Sequence, residues 1–122
     1  MLASSYERHS VVVVDNASPC GDADRLLAEF GGRVHVIASR ESLGYGGGAN
    51  LGLRWALDRG ATYAWVLNND TVVDPACIGM LVDGMESNPR LGVLSPQILC
   101  AVGPDAPSGV RFSGTGRNRD ST

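Results

Sequence analysis

Four consecutive valines, Val11 to Val14, form the first apolar stretch, and they stop at the polar run Asp15-Asn16-Ala17-Ser18-Pro19. A continuous β-branched run fits a strand covered on both faces. Ala23 to Phe30 sets Leu26, Leu27 and Phe30 at helical spacing, and Gly31-Gly32 supplies a stop. Arg33 to Ala38, with Val34, Val36 and Ile37, predicts a second strand, in which His35 reads as structural. A helix follows from about Gly47 to Asp58, with Leu51, Trp55 and Leu57 on or near its buried side and Gly60 at its end. The apolar residues Trp65-Val66-Leu67 run into Asn68-Asn69-Asp70, which predicts a buried strand from Tyr63 whose C-terminal end presents oxygen ligands. Asp74-Pro75 opens the next helix, with Asp as cap and Pro at the first helical position. Ile78, Leu81, Val82 and Met85 mark its apolar face, and Asn88-Pro89 ends it. Gly92 to Pro96 predicts a last short strand, and from Gly103 onward no period survives.

Strands alternating with helices predict an α/β fold on a parallel sheet, occupying residues 1–102, with an irregular tail over 103–122. Ligands of open α/β sheets bind beyond the carboxyl ends of the strands. Asp15 and Asp70 each stand at such an end, and the Gly-rich run Ser42 to Gly52 lies between them. Each feature has a plain structural alternative. Asp15 serves equally as a loop residue, and Asn68-Asn69-Asp70 as a polar turn held by its own side chains. The glycines free the backbone either for close packing or for phosphate at a helix N-terminus. Gly44 to Ala49 matches G-x-G-x-x-A, but it does not turn directly off the first strand, and position 69, where an acidic residue belongs, is Asn.

Composition narrows the picture a little. The chain has 122 residues, 43% hydrophobic and 19% charged, as in a globular domain able to bury a core. A formal charge of −3 gives no basic footprint for nucleic acid. Cys20, Cys77 and Cys100 are spaced for neither zinc nor a disulfide framework and read as reduced thiols of a cytoplasmic protein. No run reaches the length of a transmembrane segment.

Four stretches carry a family resemblance. Val13-Val14-Asp15-Asn16-Ala17-Ser18, Ser42 to Gly52, Leu67-Asn68-Asn69-Asp70-Thr71 and Met85 through Ile98 stand in one order and spacing. Over about residues 2 to 115 the chain resembles the family 2 glycosyltransferases of GT-A fold, especially their rhamnosyltransferase-like branch. Ser42 to Gly52 is similar to the family loop N-x-G-F-A-G-G-x-N-x-G, with Ser42 for the leading Asn and Tyr45-Gly46 for Phe-Ala. The resemblance implies a Rossmann-like, mostly parallel sheet with flanking helices, of which this chain is the nucleotide-binding half. It implies that Asp15 contacts the nucleotide base, with Asn16 nearby. Ser42, Gly44, Gly47 and Asn50 would then shape the sugar-nucleotide side, and Asn68 or Asn69 would meet diphosphate or sugar. Asp70 would be the metal ligand of a D-x-D-like motif, holding a divalent cation, Mg or Mn.

The implied partners are a nucleoside-diphosphate sugar, a dTDP- or UDP-sugar, and a glycan or lipid-linked acceptor in polysaccharide biosynthesis, with the enzyme at the inner face of the membrane. The resemblance also implies truncation at both ends: a first strand and its helix before Met1, and an acceptor half with the catalytic base beyond Thr122. No residue here matches a catalytic base. Unpaired buried backbone groups cost roughly 1–3 kcal/mol each, against a total stability of about 5–15 kcal/mol. A missing central strand would thus leave the chain marginally stable and inactive alone. A non-catalytic nucleotide-sugar-binding module or inactive remnant fits the same residues. A nicotinamide oxidoreductase built on Gly44 to Ala49 would need no metal, and a nucleotidyl transferase would need a Gly-rich signature at its first strand.

Overall fold

A computed structural model describes residues 1–19 and 22–98. Cys20, Cys100 and the 103–122 tail lie outside the described residues. The elements are β1 (Val12–Asp15), α1 (Asp22–Phe30), a short 3-10 turn (Gly31–Arg33), β2 (His35–Ala38), α2 (Gly44–Asp58) and α3 (Cys77–Ser87). They fall into two compact units, one over Arg8–Leu67 and one of Ala3–Glu7 with the chain from Asn68 onward.

The first unit is a β-α-β-α arrangement on a parallel pair. β1 and β2 run in register, with Val12 beside His35, Val13 beside Val36, Val14 beside Ile37 and Asp15 beside Ala38. The ladder continues past both ends, since His35 N–H donates to the Val11 carbonyl and Ser39 N–H to the Asp15 carbonyl, each at 2.8 Å. α1 packs on β2 and α2 on β1. The α2 contact is made by glycine: a Cβ on Gly52 would stand 3.3 Å from Val14 Cγ2 and 3.8 Å from Val12 Cγ1. Side chains alternate along a strand, so Val12 and Val14 meet α2 while Val13 turns to the other face. His35 shares the α2 face, where its ring lies 4.7 Å from Trp55, and the Arg59 guanidinium covers Trp55 at 4.2 Å. His35 thus packs on Trp55 from within the strand.

The second unit is built on α3. Cys77 is fully buried and free, and Leu81 is buried beside it in sequence register. Burial raises the Cys77 thiol above its ordinary range, and the Asp74 charge adds to that, so the residue is an unreactive core group. Contrary to the expected start, α3 begins at Cys77 with Ala76 as its N-cap and no side-chain cap bond. Asp74 and Pro75 precede it, and the Asp74 side chain closes the approach by accepting from Ala76 N–H at 2.8 Å. Asn88 ends the helix, and its side chain accepts from Arg90 N–H at 3.1 Å. Ser5 N–H donates to the Pro75 carbonyl at 2.9 Å, tying the N-terminal segment to the approach to α3.

Four other expectations from the sequence are corrected. Tyr63 to Leu67 is not a strand, and Tyr63 and Val66 are exposed, because no described segment lies alongside to complete a ladder. Gly92 to Pro96 likewise forms no strand, and only an isolated bridge at Gln97 follows it. The sheet of the described residues therefore has two strands. α2 begins at Gly44, three residues earlier than the pattern predicted, because Asn16 holds its first turn from outside the helix. Leu57 is 70% exposed, since two residues from Trp55 is more than half a helical turn and points it away from the sheet.

Candidate functional site

The exit of β1 is shaped by its own side chains. Ser18 N–H donates to Asp15 Oδ1 at 2.8 Å, closing a loop in which Ala17 takes a left-handed φ of 64°. Such a conformation costs a non-glycine residue roughly 1–3 kcal/mol and has to be held in place by its surroundings. The Ser18 backbone N–H, and after it the Ser18 hydroxyl, keeps the Asp15 carboxyl below its ordinary value of 3.8. At neutral pH Asp15 is therefore a carboxylate able to accept from an N–H donor such as a nucleobase edge.

Asn16 projects from this loop toward the start of α2. Its Oδ1 accepts from Leu43 N–H at 2.9 Å, and its Nδ2 donates to the Gly44 carbonyl at 3.0 Å. The two partners differ in kind, a donor and an acceptor, so they fix which end of the amide is which. Gly48 is buried beneath it, where a Cβ would come within 3.3 Å of Asn16 Cγ. Gly44 takes a φ of +67°, the left-handed region that favours glycine. Gly47 is required by space: a Cβ there would stand 2.5 Å from Leu43 Cβ. The first turn of α2 has no side-chain cap, so its amides remain as donors for an anion. Ser42 and Asn50 are exposed, and neither side chain has a hydrogen-bond partner among the described residues.

In the second unit, Asn68-Asn69-Asp70 is a polar turn, closed by the Thr71 hydroxyl donating to the Asn68 carbonyl at 2.7 Å. All three residues are exposed. Among the described residues no group of three His, Cys, Asp or Glu could enclose a metal. One exposed carboxylate still suits magnesium or manganese, which keep bound water and are commonly shared between one or two carboxylates and substrate phosphates. Asp70 would hold such a cation, whose chemistry is to offset charge on a phosphoryl oxygen.

The structure thus brings Asp15, Asn16, Ser42, Gly44, Gly47 and Asn50 into one unit and Asn68, Asn69 and Asp70 into the other. Sequence reading missed the bond from Asn16 to Leu43 and the role of Gly48. The signal for the second was there, in glycines spaced by four at 44, 48 and 52, one ridge of a helix. Among the described residues no helix is long and apolar enough to cross a membrane.

Comparison with known proteins adds a family. Uncharacterized proteins of Mycobacterium bovis and of two Mycobacterium tuberculosis strains are each 36% identical to the chain over 84 residues. The match takes in 67% of this chain and 29% of each relative's length. No solved structure matches. The sequence model of glycosyl transferase family 2 matches residues 1–112, taking in the β1 exit, the Gly-rich turn and the Asn68–Thr71 turn, and the chain belongs to that family.

Proposed function

We propose that this chain carries the donor side of an inverting glycosyltransferase, binding a nucleoside-diphosphate sugar. The observation that carries this reading is the tie between the β1 exit and the α2 N-terminus through Asn16, at 2.9 and 3.0 Å. It joins an ionised carboxylate, suited to a base edge, with uncapped helix amides, suited to phosphate. Asp15 takes the base, Gly44 and Gly47 let the backbone approach the sugar nucleotide, and Ser42 and Asn50 offer polar contacts. Asn68 and Asn69 meet diphosphate or sugar, and Asp70 is the ligand of a divalent cation.

In the reaction of the whole enzyme, an acceptor hydroxyl of a glycan or lipid-linked glycan attacks the anomeric carbon. The new C–O bond forms as the bond to the nucleoside diphosphate breaks, with inversion, and the hydroxyl proton passes to a carboxylate base. None of the residues named here takes that proton. The donor is a dTDP- or UDP-sugar, rhamnose being the sugar the family branch favours, and the work is done at the cytoplasmic face of a membrane.

Calorimetric titration of the chain with UDP and dTDP, with and without manganese, tests this. We expect manganese-dependent binding of one nucleotide, weakened in Asp70→Ala by about tenfold or more, since even a metal's outer partners are worth about 10–100-fold. Binding that ignores both manganese and the Asp70 substitution would remove the cation from the proposal.

A further inference from the structure

We propose that Asn16 is the positioning residue of the Gly-rich turn, acting on a bound donor through the Leu43–Gly44 backbone and not by touching it. This rests on the reading of the β1 exit and the α2 N-terminus as the donor side.

The argument starts from what α2 lacks. Its N-cap is Leu43, whose side chain has no polar atom and makes no cap bond. In a capping box the backbone N–H of the cap residue is satisfied by a Glu or Gln three positions on. Here that position is Gly46, which has no side chain. Asn16, 27 residues earlier, supplies the missing acceptor to Leu43 N–H, and it also donates to the Gly44 carbonyl. One amide therefore holds the Ser42–Leu43 and Gly44–Tyr45 peptide groups, which flank the one that leads into the left-handed Gly44. The space for it comes from Gly48, and its direction from the Asp15–Ser18 loop. Leu43 N–H takes one acceptor position of Oδ1 and the Gly44 carbonyl one N–H of Nδ2, and both bonds aim the amide at the turn that receives the donor's phosphates.

A direct-contact role and a positioning role predict different things in the absence of ligand. Amide hydrogen exchange at Leu43, read by NMR in the ligand-free chain, is the decisive measurement, because substitution at position 16 leaves the intrinsic exchange rate of Leu43 unaltered. In Asn16→Ala, Leu43 should exchange about tenfold faster, the worth of one ordinary hydrogen bond. Gly48→Ala leaves Asn16 in place but crowds it at 3.3 Å, and should move Leu43 exchange in the same direction. In both variants UDP affinity, or dTDP affinity if that is the nucleotide bound, should fall in step with the lost protection.

Unchanged Leu43 exchange in Asn16→Ala together with weaker nucleotide binding would overturn the proposal in favour of direct contact. Faster exchange with unchanged affinity would overturn it too, leaving a purely structural tie. A wild-type chain that bound neither nucleotide would sink the donor-site reading and the positioning role with it, while the exchange data would still decide whether the tie exists. Far-UV circular dichroism of each variant separates loss of the tie from loss of the fold.

Discussion

The Asp15 carboxylate is engaged before any ligand arrives, and the Ser18 backbone N–H is its main partner. Because that partner favours the charged form, the folded-state pKa lies below the unfolded one. The stabilisation is therefore complete above the ordinary value of 3.8 and is lost as pH falls through the depressed folded value. We expect the thermal midpoint of the wild-type chain to drop more steeply below about pH 4 than that of Asp15→Asn, which cannot titrate. Parallel curves for the two proteins would show that the Ser18 contact contributes nothing. At this scale the sequence was partly legible. Asp15 at the end of a valine run announced a strand exit. The Asn16 bonds did not show, because a contact over 27 positions leaves no local pattern, and the same residue types also serve ordinary turns.

At the scale of elements, glycine decides how α2 meets the sheet. Gly48 and Gly52 let the helix backbone come close to Asn16 and to Val14 and Val12. Adding a methyl group at position 52 has two opposed effects. Alanine favours a helix interior over glycine by roughly 0.5–1 kcal/mol, while crowding a packed core costs about 1–3 kcal/mol. Val14 is β-branched and held in a strand, so it has little room to rotate away from a Cβ at 3.3 Å. The crowding term wins, and Gly52→Ala should destabilise the chain by about 1 kcal/mol in urea unfolding. A neutral or stabilised variant would mean that α2 can lift off β1 freely. Helices and the first parallel pair were legible because period and stop signals are local. The segment Tyr63 to Leu67 was not, because a strand is defined by its neighbour and an apolar run cannot announce whether one is present. Leu57 was misplaced by counting it with Trp55, although i and i+2 never share a helix face.

For the whole molecule, the described residues bury only Val34, Cys77 and Leu81 among hydrophobic side chains, while Leu57, Val72, Val93 and Ile98 are 70% exposed or more. Among the described residues much of the fold therefore rests on partly buried contacts and on hydrogen-bonded ties such as those of Asn16 and Ser5. The fold class was legible from alternating elements, and family membership from four motifs in order. The division into two units was not, since nothing in the composition shifts at Leu67.

The glycines of α2 also set the order in which the chain folds. Four of the first five residues of this helix are glycine, so its opening turn is a poor nucleus and should form only once β1 presents Asn16 to it. Gly46 offers a clean probe, because a Cβ there meets nothing within 4 Å and its φ is not left-handed. Gly46→Ala should stabilise the native state by roughly 0.5–1 kcal/mol. If the turn forms after the rate-limiting step, that gain appears as unfolding slowed by about two- to fivefold, with the folding rate unchanged. A faster folding rate in stopped-flow refolding would instead place the turn, glycines and all, inside the folding nucleus.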